Sequence, residues 1–531
     1  MATHVPPRQT VAPPARRIAG ARREALLIAA LFLSAVLISG FTMLRGIDQF
    51  DEGLMLQAAR RVGEGQLPYR DFLWSYGPGQ PYLLAALHQV TGVSLLDWRV
   101  LRVLADAGVA VFAFLLARRS AGERPALAAW LTAACAMAQP RSANPFPFAL
   151  LFVLAALWLG SGEPGRRRVV SAGLLIALAA AWRFDFAVFG GAAVLVMLLL
   201  GRRRGDAGVF ALTAAAGTVV AYAPFLIAIG PADLYQSLIG TSLHDGPNWT
   251  LPFPLSYDGR LRLWPPGAAA HDLKDVLDFY VPLLELIALA LGAAAVAVRW
   301  RRERRPPALW AGLVVLGGGF VLYLRSRTDE FHTTPLIVVA AILLVAAAAW
   351  ALGERGRPRA LGWACAAAAA LLLLQGAGNR LSALHDPDRE APIGIAVSDG
   401  VEAPVGEAAA LRRTVALVQQ RVPPGEPIYV ATRRSDLVRF SAPLLYVLTE
   451  RDNPTPQDFG LLTGATAQAR LVAELERARP RVVVRWTDPS SSEREPNLRG
   501  RSSGVHTLDE WIARNYRLLQ RAGYYDVLVP R

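Results

Sequence analysis

The sequence is poor in charge, cysteine and lysine, and each shortage narrows what the protein can be. Only 18% of the 531 residues are charged, whereas 53% are hydrophobic, and the apolar residues form repeated runs near the length of a membrane span. A soluble protein of this size does not show such runs. Both cysteines, Cys135 and Cys365, lie inside apolar runs, so we expect neither a disulfide framework nor a cysteine metal site.

Arginine supplies nearly all of the positive charge, because Lys274 is the only lysine. A net charge of +14 would suggest nucleic-acid binding in a soluble protein. Here the arginines form clusters between apolar runs, as at residues 202–204 and 299–305. This pattern is typical of the cytoplasmic loops of membrane proteins. We therefore predict membrane lipids, and no nucleic acid, as partners.

The apolar runs predict a mostly α-helical, multi-pass protein of the bacterial inner membrane with about eleven transmembrane helices. With this number and a cytoplasmic N-terminus, every arginine cluster falls on the cytoplasmic side. The run at residues 81–92 is too short to span, and we interpret it as an interfacial or re-entrant helix. The eleven runs begin near Glu24, Trp98, Ala126, Phe148, Val169, Phe186, Val209, Tyr280, Ala308, Pro335 and Ala360.

Three regions follow from this pattern. Residues 1–23 are predicted to be a disordered, basic cytoplasmic tail, and residues 24–379 a transmembrane module with a long external loop at 45–97. After residue 380 the chain becomes more polar, and short β-rich segments alternate with helical patterns. Such alternation predicts a small extracytoplasmic α/β domain at 380–531 with a largely parallel sheet.

The polar loop after the first apolar run contains the most specific motifs. It holds Asp51-Glu52, then residues 65–72 (GQLPYRDF), then residues 76–82 (YGPGQPY). This layout resembles the first external loop of the GT-C membrane glycosyltransferases, in particular family 39 and its Rgt-like relatives. It also resembles the same loop of protein O-mannosyltransferases and aminoarabinose transferases. The resemblance implies a GT-C fold. It also implies inverting transfer of a sugar from a polyprenyl-phosphate donor to a lipid or glycan acceptor outside the membrane.

Such a transfer needs a base for the acceptor hydroxyl and positive charge for the departing phosphate. The resemblance implies that Asp51 is the base, although its position before a helical pattern equally fits an N-cap. Glu52 either assists or is a first-turn acid stabilised by the helix dipole. Asp185 is the candidate second acid, and the alternative is a local ion pair with Arg183.

Arg325, Arg327 and His332 are the candidates for binding the donor lipid phosphate, because arginine binds phosphate oxygens in pairs. They lie in an external loop that resembles the R-x-D-x-x-H loop of Rgt-like sequences. Arg141 is a weaker candidate for the same role. The alternative for these arginines is contact with lipid headgroups.

Two further groups are candidates for substrate contacts. Tyr69, Asp71 and Tyr76 lie in the first loop, and His244 and Asp245 lie in the long loop at 231–278. The aromatic residues of the long loop suit sugar stacking or an interfacial belt equally well. The sequence requires no cofactor, and it is also compatible with a bound divalent metal ion.

Two other functional classes compete with a glycosyltransferase. A transporter or flippase would show internal repeats and polar residues at mid-membrane, and neither is evident here. A non-catalytic scaffold that binds envelope polysaccharide is the second alternative.

Overall fold

A computed structural model describes residues 14–139, 141, 144–241, 243, 253–384, 389–437, 441–458, 464–489 and 502–531. Within these residues, helices dominate the chain as far as residue 384. The helices in this part are α1 (Pro14–Gly40), α2 (Asp51–Gly63), α3 (Gly79–Thr91), α4 (Leu95–Ala121), α5 (Glu123–Met137), α6 (Phe146–Gly160), α7 (Arg166–Trp182), α8 (Phe184–Leu200), α9 (Arg204–Tyr235), α10 (Pro266–Glu303), α11 (Ala308–Ser326), α12 (Glu330–Gly353) and α13 (Arg359–Leu384).

Seven helices in the described part of the chain are long and apolar enough to cross a membrane. Helices α6 and α8 are apolar but shorter. All eleven predicted apolar runs lie within helices, and the predicted short helix is α3. The prediction of a mostly helical multi-pass membrane protein is confirmed, whereas the count of eleven spans stays a prediction. The seven helices lie at Gly20–Gly40, Leu95–Ala121, Arg204–Gly240, Pro266–Glu303, Ala308–Arg325, Phe331–Gly353 and Arg359–Leu384.

The N-terminal tail differs in part from its prediction. Helix α1 begins at Pro14, so residues 14–23 are helical rather than disordered. Alanine and arginine are strong helix formers, and their abundance in this stretch extends the apolar helix backwards. Residues 1–13 lie outside the described part of the chain.

The arginine clusters come together at one end of the helical bundle. Arg118 forms an ion pair with Glu24 at 2.5 Å, and Arg119 donates a hydrogen bond to Ser161 Oγ at 2.6 Å. Arg99, near the other end of α4, instead contacts the loop before α2. The clusters and the first loop therefore lie at opposite ends of α4, as the alternation of charge predicts.

The C-terminal part combines two small sheets with helices. A four-stranded sheet has the order β3-β4-β6-β5, in which only β3 and β4 are parallel. The prediction of a largely parallel sheet is therefore wrong, because β5 and β6 form an antiparallel hairpin. The elements are β1 (Glu390–Pro392), β2 (Glu402–Pro404), α14 (Val405–Arg421), β3 (Tyr429–Ala431), α15 (Leu444–Thr449), α16 (Ala465–Ala478), β4 (Val483–Trp486), α17 (Thr507–Asn515), β5 (Tyr516–Ala522) and β6 (Tyr525–Pro530).

Helix α2 packs directly against this C-terminal part. Arg61 forms a buried ion pair with Asp458 at 2.6 Å, and Arg60 donates hydrogen bonds of 2.9 Å to the carbonyls of Tyr446 and Arg451. Gly53 lies so close to Leu444 that a Cβ at this position would meet the Leu444 backbone. The helix that begins at Asp51 is thus fixed by residues about four hundred positions later.

Replacing Gly53 by alanine should therefore destabilise the protein, because neither helix backbone can yield easily. Overpacking of this kind costs about 1–3 kcal/mol. We expect a lower midpoint of thermal unfolding for Gly53→Ala in detergent. Gly406→Ala is the matched control, since Gly406 is helical and has open space around it. Equal midpoints for the two variants would contradict the close packing of α2 on α15.

Candidate functional site

Residues from several separate loops meet near the N-terminus of α2. The charges of Asp51, Arg183, Asp185 and Arg327 all act on the hydroxyl of Tyr76. Burial, aided by the two carboxylates, raises the pKa of Tyr76 to about 12 against the opposing arginines. The structure therefore brings together predicted residues from the loops after α1, α7 and α11.

Asp51 is the first residue of α2, but its side chain does not cap this helix. The cap is made by Asp48, whose Oδ1 accepts hydrogen bonds from the backbone N–H groups of Phe50 and Asp51 at 2.9 and 3.0 Å. Within the described residues, no hydrogen bond holds the Asp51 carboxylate. The interpretation of Asp51 as a simple N-cap is therefore wrong, and its carboxylate is left available for a ligand.

The surroundings of Asp51 raise the pKa of its carboxyl group. Burial raises its pKa well above the ordinary range, and the neighbouring carboxylates of Asp48 and Asp329 raise it further. Arg327 opposes this shift. A carboxylate with a raised pKa holds a proton more firmly once it has accepted it, which is the property that general-base catalysis needs near neutral pH.

Asp48 belongs to the site, although the sequence did not predict it. Burial and the charge of Glu52 raise its pKa to about 6, while its backbone hydrogen bonds and the charge of Arg141 act in the opposite direction. Arg141 also lies against Gly46, whose φ of +65° favours glycine. The feature of the sequence that could have indicated its role is its position, because Asp48 is a third acid only three residues before Asp51.

Glu52 has a different environment from Asp51. Its carboxylate is fully buried and forms two hydrogen bonds with Arg99, from Nε at 2.6 Å and from Nη2 at 2.8 Å. Arg99 also donates to the carbonyls of Met43 and Gly46 at 2.7 and 2.8 Å. This pair ties the first loop to α4 and leaves Glu52 without access to solvent.

Asp185 is likewise held by an arginine. Arg183 binds both of its oxygens, at 3.0 Å from Nε and 2.6 Å from Nη2. The remaining Nη1 of Arg183 donates to Asn144 Oδ1 at 3.1 Å and to the Tyr323 hydroxyl at 3.3 Å. The local ion pair is thus present, and it places a guanidinium between the loops before α6 and α8 and the end of α11.

The candidate residues of the predicted phosphate-binding loop fall into two groups: Arg327 and His332 lie near Asp51, and Arg325 is exposed. Arg327 Nε lies 2.6 Å from Asp329 Oδ2, and His332 Nδ1 lies 2.5 Å from Asp329 Oδ1. Burial alone would raise the pKa of Asp329, but His332 and Arg327 outweigh it and hold that pKa well below the usual range. Arg325 is exposed at the end of α11, so the structure brings Arg327 and His332, and not Arg325, towards Asp51.

The remaining predicted residues mostly shape the first loop. The Tyr69 hydroxyl donates to the carbonyl of Tyr76 at 2.6 Å. The Asp71 carboxylate accepts a hydrogen bond of 2.7 Å from the backbone N–H of Leu67, and both of its oxygens contact Arg70. Of the three first-loop candidates, only Tyr76 reaches the charged cluster. His244 and Asp245 lie outside the described residues.

Comparisons with known proteins agree with this architecture. A family profile described as dolichyl-phosphate-mannose-protein mannosyltransferase matches residues 75–227. ArnT from Cupriavidus metallidurans, solved with undecaprenyl phosphate, superposes with a TM-score of 0.56 at 14% identity, over 95% of this chain and 97% of that one. No curated protein sequence matches. The chain has the GT-C fold.

Two further structures support the GT-C assignment. ArnT in its apo state gives a TM-score of 0.54 at 14% identity, over 96% of this chain and 98% of the other. The oligosaccharyltransferase of Archaeoglobus fulgidus, in complex with Zn and sulfate, gives 0.52 at 13% identity, over 94% of this chain and 72% of the other. The predicted resemblance and fold class are therefore confirmed.

One group of side chains in the C-terminal part has the composition of a metal site. Ligand atoms of Asp436, His506 and Asp509 lie within 4.8 Å of one another. However, Arg434 contacts both oxygens of Asp436, and Ser435 donates to both oxygens of Asp509. These carboxylates are already neutralised or hydrogen-bonded, so the group fits a zinc ion poorly.

The buried pair of Glu52 and Arg99 should be essential for stability. Arg99→Leu leaves the Glu52 charge buried without its partner, which typically costs about 3–5 kcal/mol. We expect a much lower midpoint of thermal unfolding for this variant, and recovery of most of the loss when Glu52→Leu is added. Arg118→Leu is the control, since its pair with Glu24 is partly exposed and such pairs contribute at most about 1 kcal/mol. Similar losses in the two arginine variants would contradict this role.

Proposed function

We propose that the protein is a membrane glycosyltransferase that transfers a sugar from a polyprenyl-phosphate donor to an acceptor of the cell envelope. The observation that carries the proposal is the Asp51 carboxylate, which accepts no hydrogen bond within the described residues and lies near Arg327 in a GT-C fold. ArnT, which has this fold, was solved with undecaprenyl phosphate. The site would face the outside of the bacterial inner membrane, opposite the arginine clusters.

In the proposed reaction, Asp51 removes the proton from the acceptor hydroxyl. The acceptor oxygen then forms a bond to the anomeric carbon of the sugar, and the bond from this carbon to the phosphate oxygen breaks. The electron pair of that bond leaves with the polyprenyl phosphate. Attack on the side opposite the leaving group inverts the anomeric centre.

Arg327 is proposed to stabilise the departing phosphate. Its charge acts on both Asp51 and Tyr76, so it lies beside the proposed base. Asp329 holds the Arg327 side chain through its Oδ2 and the His332 ring through its Oδ1. A guanidinium fixed in this way stabilises negative charge without reorganising during the reaction.

The other acidic residues are proposed to position the site rather than to exchange protons. Glu52 holds the first loop through Arg99, and Asp185 holds Arg183 against Tyr76.

Asp51→Asn should abolish sugar transfer while the protein keeps its fold and its level in the membrane. A general base contributes roughly 10²–10⁴-fold to a rate, so we expect at least a hundredfold loss. The measurement uses mass spectrometry to compare the glycolipids of two deletion strains, one that expresses the variant and one that expresses the parent protein. Asp97→Asn is the control, because Asp97 lies in the first turn of α4 and contacts Thr91 rather than the site. Normal product from the Asp51→Asn strain would refute the proposal.

Asp48→Asn should shift the pH dependence of transfer without removing the cap of α2. The asparagine Oδ1 still accepts the two backbone N–H groups, but the negative charge that raises the pKa of Asp51 is lost. The pKa of Asp51 then falls, so the base stays ionised in more acidic solution. We expect the acidic limb of the rate profile to move to lower pH, as measured by product formation in isolated membranes. A limb that stays in place or moves to higher pH would contradict the assigned base.

A further inference from the structure

Residues of the C-terminal part also bind the segment that carries Asp48 and Asp51. Gln49 lies between the two acids, and its side chain is 8% exposed. Its Nε2 donates to the Tyr525 hydroxyl at 2.6 Å and to Glu407 Oε1 at 3.2 Å. The Tyr525 hydroxyl in turn donates to Glu407 Oε1. The three side chains form one network in which every donor has an acceptor, whereas the buried Gln49 Oε1 has no hydrogen-bond partner within the described residues.

Backbone contacts extend the same attachment in both directions along the segment. Glu402 N donates to the carbonyl of Leu44, and its own carbonyl accepts from Gly46 N, both at 2.7 Å. Leu444 N donates to the carbonyl of Gln49 at 3.2 Å. Strand β2 therefore holds the segment at Leu44 and Gly46, while helix α15, Tyr525 and Glu407 all hold it at Gln49.

We propose that Glu407 and Tyr525 are positioning residues for the reaction, which hold Gln49 so that Asp48 caps α2 and Asp51 faces Arg327. This inference rests on the proposed function. Asp48 depends on the path of the backbone here, because its Oδ1 binds the N–H groups of Phe50 and Asp51. A shift of the segment by a fraction of an ångström moves the cap and the base together.

Conservative variants separate positioning from folding. Tyr525→Phe keeps the buried ring but removes the hydroxyl that joins Gln49 to Glu407. Glu407→Ala removes the acceptor, whereas Glu407→Gln keeps an Oε1 that accepts both hydrogen bonds. The matched control is Tyr516→Phe, which removes a buried hydroxyl of the same sheet whose partner is the carbonyl of Pro480.

The experiment measures initial rates of product formation against pH, in membranes of the deletion strain that carry each full-length variant and use their endogenous donor. We expect Tyr525→Phe and Glu407→Ala to lower the rate about ten- to a hundredfold, since small misplacements of a reacting group have effects of this size. Their acidic limbs should also move to lower pH, because a loosened segment exposes Asp51 to water. Glu407→Gln and Tyr516→Phe should keep the parent rate and profile.

Hydrogen exchange of the purified full-length variants gives a second readout. The amides of residues 46–54 should exchange faster in Tyr525→Phe than in the parent or in Tyr516→Phe. Unchanged rates, pH profiles and exchange in Tyr525→Phe and Glu407→Ala would overturn the inference, even where Asp51→Asn is inactive. Full activity of Asp51→Asn would instead overturn the proposed function, and the exchange data would still test the attachment.

Discussion

The buried ion pair between Arg99 and Glu52 is the constraint on which the site depends. Removing two charges from water is expensive, and it is tolerated where the remaining donors and acceptors are also satisfied. Arg99 meets this condition by binding both oxygens of Glu52 and the carbonyls of Met43 and Gly46. One guanidinium on a membrane-spanning helix thereby fixes the loop that leads into α2.

The neighbouring residue uses this rigidity in a different way. Asp51 follows directly from the fixed loop, yet its carboxylate is left without a hydrogen bond in the described structure. Burial and like charges then raise its pKa, and the charge of Arg327 offsets this rise only in part, because burial removes the water that would stabilise the ionised form. Glu52, which is paired with Arg99, therefore has a structural role. The adjacent Asp51, whose carboxylate has no such partner in the described structure, has the proposed chemical role.

The sequence was sufficient for features that depend on local pattern. Apolar length located the helices, and arginine clustering placed the loops of Asp51, Asp185 and Arg327 at one end of the bundle. Contacts between distant residues left no such signal: Glu52 and Arg99 are 47 residues apart, and Gln49 and Glu407 are 358 apart. Arg99 in particular stands within an apolar helix, where its charge gave no indication of its partner.

The C-terminal sheet shows the same limit. The segments that became β3, β4 and β6 have clear β-rich patterns, and alternation with helices suggested parallel pairing. Strand β5, at Tyr516–Ala522, mixes arginine and glutamine with leucine, because it lies at the edge of the sheet and much of it is exposed. Because β5 was not predicted as a strand, the antiparallel hairpin that it forms with β6 was not predicted either.

Labelling of introduced cysteines in intact cells tests most directly whether the site lies outside the membrane. Both native cysteines are buried, so a cysteine at the exposed position of Arg70, in the first loop, gives a clean signal. The proposed topology predicts that a membrane-impermeant maleimide labels Arg70→Cys in intact cells and labels Arg302→Cys only after permeabilisation. Labelling of Arg302→Cys in intact cells, with Arg70→Cys protected until permeabilisation, would contradict the account.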